Sequence, residues 1–82
     1  MKYDVHVYSK PACVQCDATK RWLNKNNVEY QEHNLLFSDD VLEMAKELGY
    51  TSAPVVILEN PDTKARVTWA GFVPSKLKGF LA

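Results

Sequence analysis

The sequence predicts an α/β domain built in the order β-α-β-α-β-β-α, and three observations carry that prediction. Two alternating stretches rich in β-branched and aromatic residues, Tyr3–Tyr8 and Val28–His33, bracket a helical one. That is a βαβ unit, with parallel neighbours and a right-handed crossover. A continuous apolar run, Val55-Val56-Ile57-Leu58, suits a central strand covered on both faces. The turn residues from Glu59 to Lys64 then join it, as a hairpin, to the alternating stretch Ala65–Trp69.

The first strand runs into Ser9-Lys10-Pro11-Ala12, where Pro11 suits a helix entry, and a helix follows from about Cys13 to Asn26. Ala18, Trp22 and Val14 are assigned to its inner face, with Asp17, Lys20, Arg21 and Lys25 outside. Asn24-Lys25-Asn26-Asn27 stops it, because asparagine competes for the backbone and tolerates left-handed turns. Ser38, Asp39 and Asp40 offer N-caps for a second helix, and Asp40 with Glu43 resembles a capping box. Val41, Met44, Ala45 and Leu48 form its apolar face, and Gly49 ends it. Thr51-Ser52-Ala53-Pro54 leads into the central strand. In the last strand Val67 and Trp69 share one face and Arg66 and Thr68 the other. Past Gly71, Pro74 opens a short final helix with Leu77, Phe80 and Leu81 inward. His6 and His33 read as ordinary strand residues, since a strand histidine without a partner is a weak acid-base candidate.

Residues 1–82 make one small domain, and 46% hydrophobic residues suffice for a packed core without staples. Ten basic and ten acidic residues cancel, which removes the electrostatic reason to expect nucleic acid or an anionic membrane as partner. No stretch approaches the length of a membrane span, and the N-terminal residues lack the apolar run of a signal peptide. The expected compartment is the cytoplasm, where a cysteine pair is more often catalytic than structural.

The only two cysteines, Cys13 and Cys16, stand at the junction of the first strand and helix. On a helix, side chains three apart have Cβ atoms about 5 to 6 Å apart. A disulfide prefers about 3.8 Å, so a Cys13–Cys16 bridge needs one cysteine outside the regular helix, and Pro11 at the helix entry makes Cys13 the candidate. There its sulfur meets free backbone N–H groups and the positive end of the helix dipole, which favour thiolate. Lys10 adds a cation, and together these bring a cysteine pKa from about 8.5 to between roughly 3.5 and 7.5. Cys16, one turn further in, is placed to attack Cys13 once a mixed disulfide has formed. Zinc is a poorer reading, because a structural site needs four ligands and only the distant His6 and His33 remain. A purely structural disulfide is poorer too, since so short a loop contributes only about 2 kcal/mol in the chain-entropy model.

The order of elements, the Cys-x-x-Cys junction and the proline before the third strand resemble the glutaredoxin branch of the thioredoxin fold, a four-stranded mixed sheet flanked by three helices. More narrowly, Cys13-Val14-Gln15-Cys16 after Tyr8-Ser9-Lys10-Pro11-Ala12, then Ala53-Pro54-Val55-Val56 and Trp69-Ala70-Gly71-Phe72, resemble the NrdH-redoxins over nearly the whole chain. The resemblance implies a thiol-disulfide oxidoreductase that takes electrons from NADPH through thioredoxin reductase and passes them to the large subunit of class Ib ribonucleotide reductase. No cofactor or metal beyond the redox-active disulfide is implied, and a monomer is expected. Cys13 would be the attacking thiolate and Cys16 the resolving one, supported by Lys10 and by Pro54 as a cis-proline. Partner docking would fall to Pro11, Ala12, Val14 and Gln15 around the cysteines and to Ser52 and Ala53 beside the proline. Trp69, Gly71 and Phe72 would complete that surface, although core packing is an equal reading for a strand tryptophan. Val73 and Ser75 replace the family's usual Arg and acid, which removes an ion pair at the last helix.

Two rival functions follow from the same residues. A glutathione-dependent glutaredoxin would use Lys10 and the Ser52-Ala53-Pro54 segment, but Phe72-Val73-Pro74 replaces the Gly-Gly-x-Asp-like grip of that group, and Pro74 lacks a donor. A redox-sensing, non-catalytic binding module is compatible with the same fold.

Overall fold

The computed structural model describes residues 3–81, so Met1, Lys2 and Ala82 of the predicted domain lie outside the described residues. The elements run β1 (Asp4–Ser9), α1 (Val14–Lys25), β2 (Gln31–Asn34), a 3₁₀ turn (Leu35–Phe37), α2 (Asp39–Glu47), β3 (Val55–Glu59), β4 (Arg66–Ala70) and α3 (Pro74–Leu81). Apart from the 3₁₀ turn this is the predicted order. The four strands form one mixed sheet in the spatial order β2-β1-β3-β4. β1 and β2 are parallel, with Tyr8 opposite His33, whereas β3 is antiparallel to both β1 and β4.

Strand alternation sends the two sheet faces to two cores. Val5, Val7, Val56, Leu58 and Trp69 meet Leu23 of α1 and Leu77 of α3 on one face. Val55 and Ile57 meet Leu35, Ala45, Ala53 and Cys16 on the other, beneath α2. β3 supplies both cores and is buried from Val55 to Leu58, which accounts for its uninterrupted apolar sequence.

Several expectations are corrected in detail. The inner face of α1 is Cys16, Thr19 and Leu23, with Ala18 and Trp22 half-buried beside it. Val14 is 81% exposed, because it stands two residues, about 200° of helical turn, from Cys16. The second strand begins at Gln31, with Val28 and Tyr30 packing against the first core from the loop before it. α2 starts two residues earlier than the capping box required: Ser38 is its N-cap and makes no side-chain cap bond. The Ser38 hydroxyl donates instead to the Asn34 carbonyl at 2.9 Å, tying the helix start to the end of β2. Leu48 is 53% exposed at the C-cap, and Gly49 follows at φ +75°, the left-handed position that favours glycine. The last helix is anchored at its start by packing and backbone bonds. Val73 packs against the first core, and its carbonyl accepts N–H bonds from Lys76 at 3.1 Å and Leu77 at 3.2 Å. Phe80 is 38% exposed and stacks partly over Trp69.

Candidate redox site

Cys13 is the N-cap of α1, in extended backbone at φ −120° and ψ 105°, and it is joined to Cys16 by a disulfide with Cα atoms 5.2 Å apart. The Cys16 backbone N–H donates to the Cys13 sulfur at 3.1 Å, as an N-cap oxygen would be served. The two sulfurs differ in access: Cys13 is half-buried, whereas Cys16 is 1% exposed in the core under α2. An incoming disulfide can reach only the first.

The loop that delivers Cys13 is held at both ends. Ala12 takes φ +55°, a left-handed conformation that costs a residue with a Cβ about 1–2 kcal/mol and persists where neighbours fix it. Cys13 on the C-terminal side is locked into the helix cap. On the N-terminal side the buried Ser9 hydroxyl donates to Glu32 Oε2 at 2.7 Å, and Lys20 Nζ of α1 donates to the same oxygen at 2.9 Å. These bonds, first that of Ser9 and then that of Lys20, hold the Glu32 carboxyl below its ordinary pKa. Glu32 in turn raises that of Lys20. Lys10, Pro11 and Ala12 are exposed and form one wall of a cleft of about 440 Å³ whose other side carries Lys20, Glu32 and Asn34.

A second loop faces the disulfide. Ala53-Pro54 is a cis peptide, Pro54 is fully buried, and the Ala53 carbonyl oxygen lies 3.6 Å from the Cys13 sulfur. In the dithiol form that oxygen can accept the Cys13 S–H. Ser52 is exposed at the rim.

The third loop follows β4 and closes the site through Gln15. The Gly71 N–H donates to the Pro54 carbonyl at 2.8 Å, and the Phe72 N–H donates to Gln15 Oε1 at 2.9 Å. Gln15 was expected to meet partners; its amide oxygen is instead spent inside the molecule, bridging the cysteine loop to a segment 57 residues away. Gly71 is buried at φ +84°, and a Cβ there would stand 2.6 Å from Gln15 Oε1. Phe72 is half-buried beside it. Trp69 is a correction: at 3% exposure its ring belongs to the first core and offers no docking surface, because its strand position points it at α3. Its indole N–H is buried without a hydrogen-bond partner among the described residues.

The Gly71 position yields a stability prediction. Gly71→Ala must relieve both the left-handed backbone and the contact with Gln15, at a cost of about 1–3 kcal/mol. In Gln15→Ala protein the steric part disappears, so the added cost of Gly71→Ala is expected to fall to about 1 kcal/mol. Thermal melts of the four proteins in this cycle measure the difference, and additive melts would contradict the contact.

Such a site exchanges disulfides: one sulfur is presented at a helix entrance and a second is kept within bonding reach behind it. The chain is a dithiol-disulfide oxidoreductase of thioredoxin-like fold. The glutaredoxin family profile matches residues 5–61, and the chain belongs to the glutaredoxin family, in its NrdH branch. It is 36% identical over 73 residues to the glutaredoxin-like protein NrdH of Lactococcus lactis subsp. cremoris, covering 89% of this chain and 93% of that one. Among solved structures it is similar to the NrdH-redoxin of Escherichia coli, described as having a thioredoxin-like activity profile. The TM-score is 0.77 at 26% identity, over 96% of both chains. The thioredoxin-like protein BC3987 follows with a TM-score of 0.69 at 28% identity, over 95% of this chain and 100% of that one. Among the described residues no helix is long and apolar enough to cross a membrane.

Proposed function

We propose that this protein is a cytoplasmic, monomeric electron carrier, reduced by thioredoxin reductase at the expense of NADPH, that reduces the large subunit of class Ib ribonucleotide reductase. The Cys13 thiolate attacks one sulfur of the target disulfide, forming a mixed disulfide and releasing the other target sulfur as a thiolate. Cys16 then attacks Cys13, which frees the second target thiol and leaves the Cys13–Cys16 disulfide. Two electrons and two protons have passed to the target, and the reductase restores both. Lys10 and the α1 entrance favour the Cys13 thiolate. The backbone at Ala53, next to Pro54, offers strand-like bonds to an extended target segment, with Ser52, Pro11, Ala12 and the exposed Val14 as the surrounding surface.

The observation that carries the thioredoxin-type electron source is the segment after β4. A glutathione site needs free donors there for a carboxylate, yet the Phe72 N–H is already given to Gln15 and Pro74 has none. The thioredoxin-like activity profile of the Escherichia coli relative supports the same reading. The test is NADPH consumption with a disulfide substrate, run with thioredoxin reductase and separately with glutathione and glutathione reductase. Turnover is expected with the first. Turnover with only the second overturns the electron source while leaving disulfide exchange intact. Deoxyribonucleotide formation by a class Ib enzyme, with this protein as the sole dithiol donor, tests the target.

A further inference from the structure

His6 and His33, unremarkable in the sequence, meet across the β1–β2 edge. His6 Nδ1 and His33 Nε2 are 3.0 Å apart, with ring centroids 5.2 Å apart and planes within 25° of each other. The centroid separation is about the nitrogen separation plus two ring radii, the largest such a contact permits. The two nitrogens therefore lie on the line joining the ring centres, and the rings meet edge to edge rather than face to face. A zinc ion held between two nitrogens in line would set them about 4 Å apart, so the gap fits a proton and not a metal. One nitrogen must donate and the other accept.

We propose that His6 and His33 are a single-proton latch on the β1–β2 edge, closed while they hold one bridging proton and opened in acid when both rings are charged. With both rings neutral, one N–H bridges. With one ring charged, the same bond persists and is charge-assisted. A second added proton turns two N–H groups toward each other, so the bond is lost and like charges face across it.

The surroundings bear on which step matters. Tyr8 lies flat on His33, with centroids 4.5 Å apart and planes within 20°, which removes water from one ring face. On the same sheet face stand Asp4 of β1 and Glu59 of β3, the latter 3.9 Å from Arg66 of β4. The Tyr50 hydroxyl is bonded to Thr68 there, and Asp39 and Asp40 of α2 line the cleft containing Tyr8 and His33. None of these groups bonds to either ring, so nothing among the described residues repairs the clash made when both rings are charged. His33 is held below the ordinary histidine value of 6.5, first by burial and then by His6. The unfolded chain therefore binds protons that the fold refuses, and stability is lost as pH falls below about 6.5. β2 is a four-residue edge strand paired only with β1, so it is the element that the opened latch releases.

The test is a proton–nitrogen NMR titration of the histidine rings of the disulfide form, from pH 8 to pH 4, with amide protection factors for Gln31–Asn34. Two coupled steps separated by more than about one pH unit are expected. Protection in β2 should fall about tenfold across the lower step, the loss equivalent to one hydrogen bond. In His6→Val, His33 should titrate in one step at a higher pH, and β2 protection should lose its acid step. Independent single-site curves for the two rings in the wild-type protein, or β2 protection unchanged through both steps, would overturn the latch; both readouts need no variant to fold.

Discussion

Cys16→Ser is expected to convert turnover into a trap. The variant keeps the half-buried nucleophile at the α1 entrance but loses the sulfur that releases the target, so it should accumulate a stable mixed disulfide on Cys13, visible by mass spectrometry. Steady-state disulfide reduction should fall on the order of 10³-fold or more, the scale of losing one member of a catalytic unit. Cys13→Ser should lose turnover to the same degree without forming the adduct, because Cys16 is 1% exposed and meets no incoming disulfide. Wild-type turnover by Cys16→Ser in the presence of glutathione would defeat the two-cysteine mechanism. Unimpaired partner binding with no adduct would point instead to a binding module.

Leu77→Ala is expected to be the most damaging change away from the sulfurs. α3 spans only Pro74–Leu81, too short to hold as an isolated helix, so its stability comes from what it packs against. Leu77 is its fully buried anchor, set among Leu23, Val5 and Trp69. Truncation costs about 2–5 kcal/mol through lost burial and the cavity left behind. At about 4–8 °C per kcal/mol for a domain of this size, the melting temperature should fall by about 10 °C or more. Phe80→Ala, at a position 38% exposed, should cost clearly less. Equal melts for the two variants would mean that the helix is held by its Val73 end rather than by Leu77.

The sequence made the frame legible because periodicity reports burial: the βαβ unit, the buried β3 and the hairpin all follow from which positions alternate. The cysteine pair was equally legible, since Pro11 and the spacing put Cys13 at a helix entrance. What stayed hidden were contacts that depend on register between distant segments. Nothing near Gln15 announces that its amide serves Phe72, and the parallel pairing predicted for the first two strands does not carry the register that brings His33 within bonding distance of His6. The left-handed Ala12 was unreadable for a different reason: alanine carries no signal for that conformation, which the surrounding bonds impose. Trp69 was ambiguous because alternation gives its partner positions but not which face a helix will cover.

The three loops that meet at Cys13 come from the beginning, middle and end of the chain. A ribosome therefore releases both thiols well before Pro54, and long before Gly71 and Phe72, have been made. Until the final hairpin docks, the nascent chain carries the cysteines without the carbonyl and amide groups that frame them. Full exchange competence thus arrives together with completed tertiary structure.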